Sequence, residues 1–254
     1  MQSELKFLSA GYSALFALAP LVALAAAPAP ASAEVKSVIE LFTSQGCSSC
    51  PSADRLLGEY AARPDVLALS YNVDYWDYLG WKDTLASPDN SQRQRDYSAG
   101  RGDNGEVYTP QAVIDGRLDV VGNSSGAIDT ALKTSANSLT VPITLATSDD
   151  MVTVNIGAAP SDAPHATLWL VMYTRSVTVP VGRGENTGKT LTYTDVVRKL
   201  RPVAMWTGAA MSVNLARSEM THSNADRWAV LLQTEVNDGH PGPIIGAAAI
   251  DPGV

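Results

Sequence analysis

An α/β domain followed by a mostly-β, sandwich-like domain is the fold class this sequence predicts. Three observations carry that reading. The apolar run Val38 to Phe42 gives way to helical apolar spacing after Cys50, the change of period where a strand feeds a helix. A second apolar run, Val66 to Val73, follows directly, in the order of a parallel β-α-β unit. From Leu139 onward short apolar runs alternate with turn residues, as in a β-sandwich.

In the first strand-to-helix unit, Thr43 to Gly46 supplies the turn. Helix residues Ala53, Leu56, Leu57, Tyr60 and Ala61 then share one face. Pro51 sits in the first turn, where a missing N–H costs nothing, Ser48 and Ser49 suit the helix start, and Pro64 marks its end. After Val73 comes an excursion over about 74–107. It holds the aromatic stretch "DYWDYLGW" and a polar helix from Ser87-Pro88 to about Ala99. Thr109-Pro110 opens a third strand, Gln111 to Asp115; Gly116 turns the chain into a fourth, Leu118 to Val121. Ser124 or Ser125 caps a closing helix with Ile128, Ala131 and Leu132 on one face. This order of elements, over residues 34–138, is the thioredoxin arrangement.

Residues 139–254 read as strands at Thr140 to Ala146, Met151 to Ile156, Thr167 to Tyr173, Ser176 to Val181, Met211 to Leu215, Trp228 to Thr234 and Ile244 to Ile250. Asp195 to Lys199 reads as a brief helix or a bulged strand. Gly182 to Gly188, "GRGENTG", lacks the lysine and serine order of a phosphate loop and reads as an exposed hairpin.

Composition bounds the partners. The chain has 254 residues, 45% hydrophobic and 17% charged, enough for one large or two modest cores. Its net charge of −8 argues against nucleic-acid or anionic-membrane binding, which needs concentrated basic surface. Lys6, the apolar stretch Phe7 to Ala27, Pro28-Ala29-Pro30 and then Ala31-Ser32-Ala33 before Glu34 form a secretory signal peptide over residues 1–33. No later run is long and apolar enough to cross a bilayer, so no stable span is expected after cleavage. The expected location is periplasmic or secreted, where disulfides persist.

Both cysteines lie in "LFTSQGCSSCPSAD". As a staple, Cys47–Cys50 closes almost no loop and constrains little. A zinc site needs about four ligands, and His165, His222 and His240 are remote and unpaired in spacing. Haem attachment needs histidine directly after the second cysteine, where Pro51 stands. The redox reading survives, with no metal and no cofactor. At a helix start, free N–H groups and the helix dipole favour a thiolate, so Cys47 is the attacking sulfur and Cys50 the resolving one. Asp54 lies one helical turn past Cys50, either as a proton relay or as a solvated carboxylate. Thr109-Pro110 stands where thioredoxin-like proteins place a cis-proline against the pair, its preceding residue offering backbone groups to a partner. Tyr75, Trp76, Tyr78 and Trp81, with Arg93 or Arg95 nearby, form either an aromatic wall over the cysteines or a cap on the core.

The stretches "LFTSQGCSSCPSAD", "NVDYWDYLGWKD", "VYTPQAVIDG" and "RGENTGKTLTYTDVVR" resemble an exported bacterial family of unassigned function with a thioredoxin-like N-terminal domain, over nearly all of the mature chain. Pro51-Ser52 and Asp83-Thr84 depart from it where a second proline is expected. The resemblance implies the fold and leaves the substrate open.

The expected function is thiol–disulfide exchange with protein or small thiol and disulfide substrates, through Cys47 and Cys50. A non-catalytic partner-binding protein on the same scaffold is the alternative. Cu(I) handling ranks below it, because copper chaperones of this build add a histidine that the first domain lacks.

Overall fold

The chain is described here by a computed structural model covering Met1 and residues 34–103, 105–159, 164–237 and 239–250. Apart from Met1, the signal peptide expected over 1–33 lies outside the described residues. The first strand, β1 (Ser37–Thr43), is buried along its whole length and pairs in parallel with β2 (Val66–Asn72). Between them runs α1 (Cys50–Ala61). Such doubly covered strands need apolar side chains on both faces, which Val38, Ile39, Leu41 and Phe42 of "SVIELFT" supply, while Ser37, Glu40 and Thr43 are buried polar residues. On its other side β1 pairs antiparallel with β3 (Gln111–Ile114), which turns through Asp115 and Gly116, both at positive φ, into β4 (Leu118–Val121). Then α3 (Ser125–Thr134) follows, its start capped by the Ser124 hydroxyl.

The alternation of β1 decides what packs where. Ile39 and Leu41 join Ala53, Leu57 and Ile128 in a core under α1 and α3. Val38 and Phe42 face the opposite way, with Tyr71 and Tyr97. Tyr97 belongs to α2 (Pro88–Arg101), whose Ser87 cap accepts the Asp89 N–H. This helix is polar because its inward face carries an ion pair. Arg93 grips buried Glu40 at 2.8 Å and also donates to Tyr97 and Gln233.

The later strands are long. β7 (Ala166–Pro180) and β8 (Thr190–Trp206) form one extended hairpin, joined by β10 (Arg227–Val236) and β11 (His240–Ile250). With β1 to β4 they make one eight-stranded mixed sheet, in the order β11-β10-β7-β8-β2-β1-β3-β4. The junction is a parallel contact of β2 with β8 at Ser70 and Val196. β5 (Ile143–Thr147), β6 (Met151–Ile156) and β9 (Met211–Ala216) form a separate three-stranded sheet. Its inner residues Val152, Val154 and Leu215 share a core with Leu168, Leu170 and Leu232 of the large sheet.

The architecture is thus mostly β, with three α-helices among the described residues. None of these helices is long and apolar enough to cross a membrane. One detail departs from the expected strands, and one open alternative is decided. Thr167 to Val181, read as two strands, is nearly all one strand, β7. Asp195 to Lys199 is the bulged-strand alternative: Asp195 has positive φ, and the pairing slips between Met172 and Tyr173.

Candidate functional site

At the carboxyl end of β1 the chain turns through Ser44, Gln45 and Gly46 and enters α1. The Cys47 and Cys50 sulfurs lie at bonding distance, 2.10 Å, with their Cα atoms 5.4 Å apart. Ser49 is the residue before the helix. Its hydroxyl makes no capping bond and instead lies 3.4 Å from Cys47 Sγ. Both sulfurs are covered: Cys47 is 1% exposed and Cys50 fully buried, while Ser48 and Ser49 face solvent.

The cover comes from two directions. From the 74–107 excursion, Trp76 packs on Gly46, where an added Cβ would meet its side chain at 3.0 Å. Trp76 Nε1 donates to Thr109 Oγ1 at 2.7 Å, so one indole links the cysteine loop to the Thr109–Pro110 bond, which is cis. Trp81 Nε1 donates to Gln45 Oε1 at 2.8 Å. Asp83 accepts the Gln45 N–H at 2.7 Å and the Asn72 amide at 3.1 Å, and Gln45 also reaches Thr84. From the other direction comes the tip of the β7–β8 hairpin. Asn186 is fully buried, and its Nδ2 donates to Gln45 O at 3.0 Å and to Cys47 O at 2.9 Å. Glu185 Oε2 accepts the Ser48 N–H at 3.0 Å. The tip seats on the excursion as well, with Leu85 packed among Val179, Val181 and Leu191.

Beneath the loop lies a polar pocket. Asp54 is 4% exposed and accepts from Thr43 Oγ1 at 2.7 Å. Burial pushes its pKa up to about 8, against the Thr43 hydrogen bond, with nearby Asp83 adding to the rise. Asp83 is raised for the same first reason. Fully buried Tyr193 of β8 is raised too, by burial and then by the charges of Asp54 and Asp83. A cavity of about 350 Å³ between α1 and β8, lined by Asp54, Gly58, Thr192 and Thr194, reaches Asp54 from the side.

Trp76 and Trp81 thus contact the loop that carries Cys47 and Cys50, Thr109 is joined to it through Trp76, Pro110 follows across the cis bond, and Asp54 lies one turn along α1. Asp54 is a buried acid, not a solvated one. The aromatic wall is only half formed: Tyr78 is 77% exposed, and Tyr75 hydrogen bonds Gln94. Arg93 is spent on Glu40 and does not face the cysteines, while Arg95 pairs with Gln92 on the α2 surface. The sequence reading missed Gln45, Asp83, Glu185, Asn186 and Tyr193. All five lie in stretches noted for resemblance, but no local rule says that a glycine-rich hairpin tip will grip a loop far away in sequence. His165 and His222 are exposed, and His240 lies near Asp96.

A large mixed sheet with a CxxC disulfide at a strand-to-helix junction, clamped by a hairpin tip, defines the class of protein. The chain belongs to the family described as a protein of unknown function (DUF1223), whose profile matches residues 38–233. It is 40% identical to protein AGR_C_4864 from Agrobacterium tumefaciens, solved by X-ray crystallography. That likeness covers 85% of this chain and 94% of that one, with a TM-score of 0.75. A fold likeness with a TM-score of 0.56 extends to HBP35 of Porphyromonas gingivalis, at 11% identity, covering 87% of this chain and 76% of that one. No curated protein matches.

Proposed function

We propose that this chain is an exported thiol–disulfide oxidoreductase of thioredoxin-like build, with residues 34–138 as the redox domain and 139–254 as its support. The observation that carries the reading is the Cys47–Cys50 disulfide at the β1–α1 junction, linked through Trp76 to the cis bond before Pro110. In the reducing direction, the Cys47 thiolate attacks one sulfur of a substrate disulfide. The other sulfur leaves as a thiolate and takes a proton. Cys50, deprotonated, then displaces the substrate from Cys47, so the substrate gains two electrons and the pair becomes a disulfide. Oxidation of a dithiol runs the same steps backward.

Asp54, held mostly protonated at neutral pH by burial, is the group to exchange a proton with Cys50, and the cavity beside α1 gives it contact with solvent. Thr109 and Pro110 present backbone to the partner, and Trp76 and Trp81 frame it. Because both sulfurs are covered, the attack requires the loop's cover to move first, as lids do in many enzymes.

A test uses single-cysteine variants and oxidised glutathione. Reduced Cys50→Ala should form a mixed disulfide at Cys47, followed by mass spectrometry, at least about tenfold faster than Cys47→Ala forms one at Cys50. Equal rates, or no adduct on either variant, contradict the assignment. A partner-binding role has one observation in its favour, a groove of about 300 Å³ away from the cysteines, lined by Trp169, Lys199, Gln233 and Pro241. In that reading Cys47→Ser keeps full partner binding.

A further inference from the structure

We propose that Glu185, at the tip of the β7–β8 hairpin, sets the redox balance of the Cys47–Cys50 pair by holding a carboxylate on the first amide after the attacking cysteine. The inference rests on the oxidoreductase reading and adds to it the residue that tunes it.

A thiolate beside a helix start is stabilised by the amide N–H groups that point toward it. The first amide after Cys47, the Ser48 N–H, is given to Glu185 instead: Glu185 Oε2 accepts it at 3.0 Å. A carboxylate thus sits on the backbone amide of the residue next to Cys47. The contact is anchored on both sides of the tip. Asn186, next in sequence and fully buried, donates to Gln45 O and Cys47 O, and its own Oδ1 accepts from Lys189 Nζ at 2.9 Å. The tip closes on itself through Val181 N–H to Lys189 O and Gly188 N–H to Val181 O. Gly182 lies flat on Trp81, where an added Cβ would come within 3.0 Å of the ring. Glu185 is therefore carried to Ser48 by a tip held at several points, although its own side chain is exposed.

The other charged groups around the loop are Arg183 and Lys189 on the tip, Arg55 and Asp54 on α1, and Asp83 beneath it. Lys189 is engaged by Asn186, and Asp54 is mostly protonated near neutral pH. The Glu185 carboxylate is the charge that contacts the loop at Cys47's neighbour. The disulfide carries no charge, whereas the dithiol form carries one when Cys47 ionises. Like charges repel, so Glu185 penalises the reduced pair and favours the disulfide.

The test equilibrates the mature chain and its Glu185→Gln variant with glutathione buffers, then counts free Cys47 and Cys50 by alkylation. In the reducing direction, two glutathione thiols become glutathione disulfide and the protein disulfide gains two electrons. It takes up two protons, or one where Cys47 stays ionised. Gln keeps an oxygen for the Ser48 N–H and removes only the charge. The variant should shift the exchange constant about tenfold toward the dithiol, which is about 30 mV. Its Cys47 thiolate fraction at neutral pH should rise, and the difference from the parent should shrink at about 1 M salt. An unchanged constant in Glu185→Gln overturns the proposal and leaves the oxidoreductase reading standing. A shift in Glu185→Ala with none in Glu185→Gln assigns the effect to the hydrogen bond and also overturns it. If the parent pair never exchanges with glutathione, the oxidoreductase reading fails and takes this inference with it.

Discussion

Asp54 shows how much one side chain's surroundings change its chemistry. One helical turn past Cys50, it falls inside the turn of α1 that packs on β1 and β8, so its carboxyl is desolvated. Its pKa stands at about 8 in the fold, against 3.8 ordinarily, so folding favours the protonated form. Its contribution to stability is therefore complete below the ordinary carboxylate value and is lost as pH rises through about 8. Each unit is about 1.4 kcal/mol, so with the disulfide intact the oxidised Asp54→Asn variant should be the more stable by about 6 kcal/mol above pH 8. Near pH 4 the two should match. Urea unfolding at the two pH values checks this, and a difference that does not change with pH contradicts it.

At the scale of elements, the hairpin tip matters most. Asn186 donates to two carbonyls of the cysteine loop, Gln45 O and Cys47 O; Cys47 O also receives the Cys50 N–H, so without the amide the tip lifts and Gln45 O turns to water. Asn186→Ala should therefore release the tip from the loop more than it destabilises the sheet. Reduction of the Cys47–Cys50 bond by a small phosphine should then accelerate about tenfold or more, while the unfolding midpoint moves little. Reduction at the parent's rate would show that the tip does not gate the sulfurs. The α2 helix makes the complementary point. Its polar face is buried because Arg93, Gln94 and Tyr97 answer Glu40 and Gln111 across the core, so its lack of an apolar stripe does not mean exposure.

For the whole molecule, legibility follows the range of the interactions involved. The strand-to-helix unit, the polar helix and the hairpin β3–β4 could be read because periodicity, caps and turn residues are local signals, whereas the cis bond before Pro110 was suggested only by likeness to thioredoxin-like proteins. Strand β8 could not. Its residues Thr190 to Trp206 carry charges and Pro202, and they form a strand because β7 pairs with them along its length. The sharing of one sheet by both halves rests on the single parallel contact of Ser70 with Val196, which no local pattern announces. The site follows the same rule. Cys47, Cys50, Thr109 and Pro110 were legible, while Asn186 and Glu185 reach the cysteine loop only once the long hairpin has formed. The fold therefore brings a distant tip to a locally built cysteine pair, whose sulfurs are bonded and covered in this conformation.

The measurement that tests the central claim most directly is a redox titration of the folded chain in thiol–disulfide buffers, with Cys47 and Cys50 counted by alkylation. A pair that exchanges electrons with substrates should be half reduced between about −270 and −120 mV, the range of known exchange proteins, and the titration should reverse without hysteresis. A midpoint below about −300 mV, or a bond that opens only when the chain unfolds, would make Cys47–Cys50 a structural link and contradict the account.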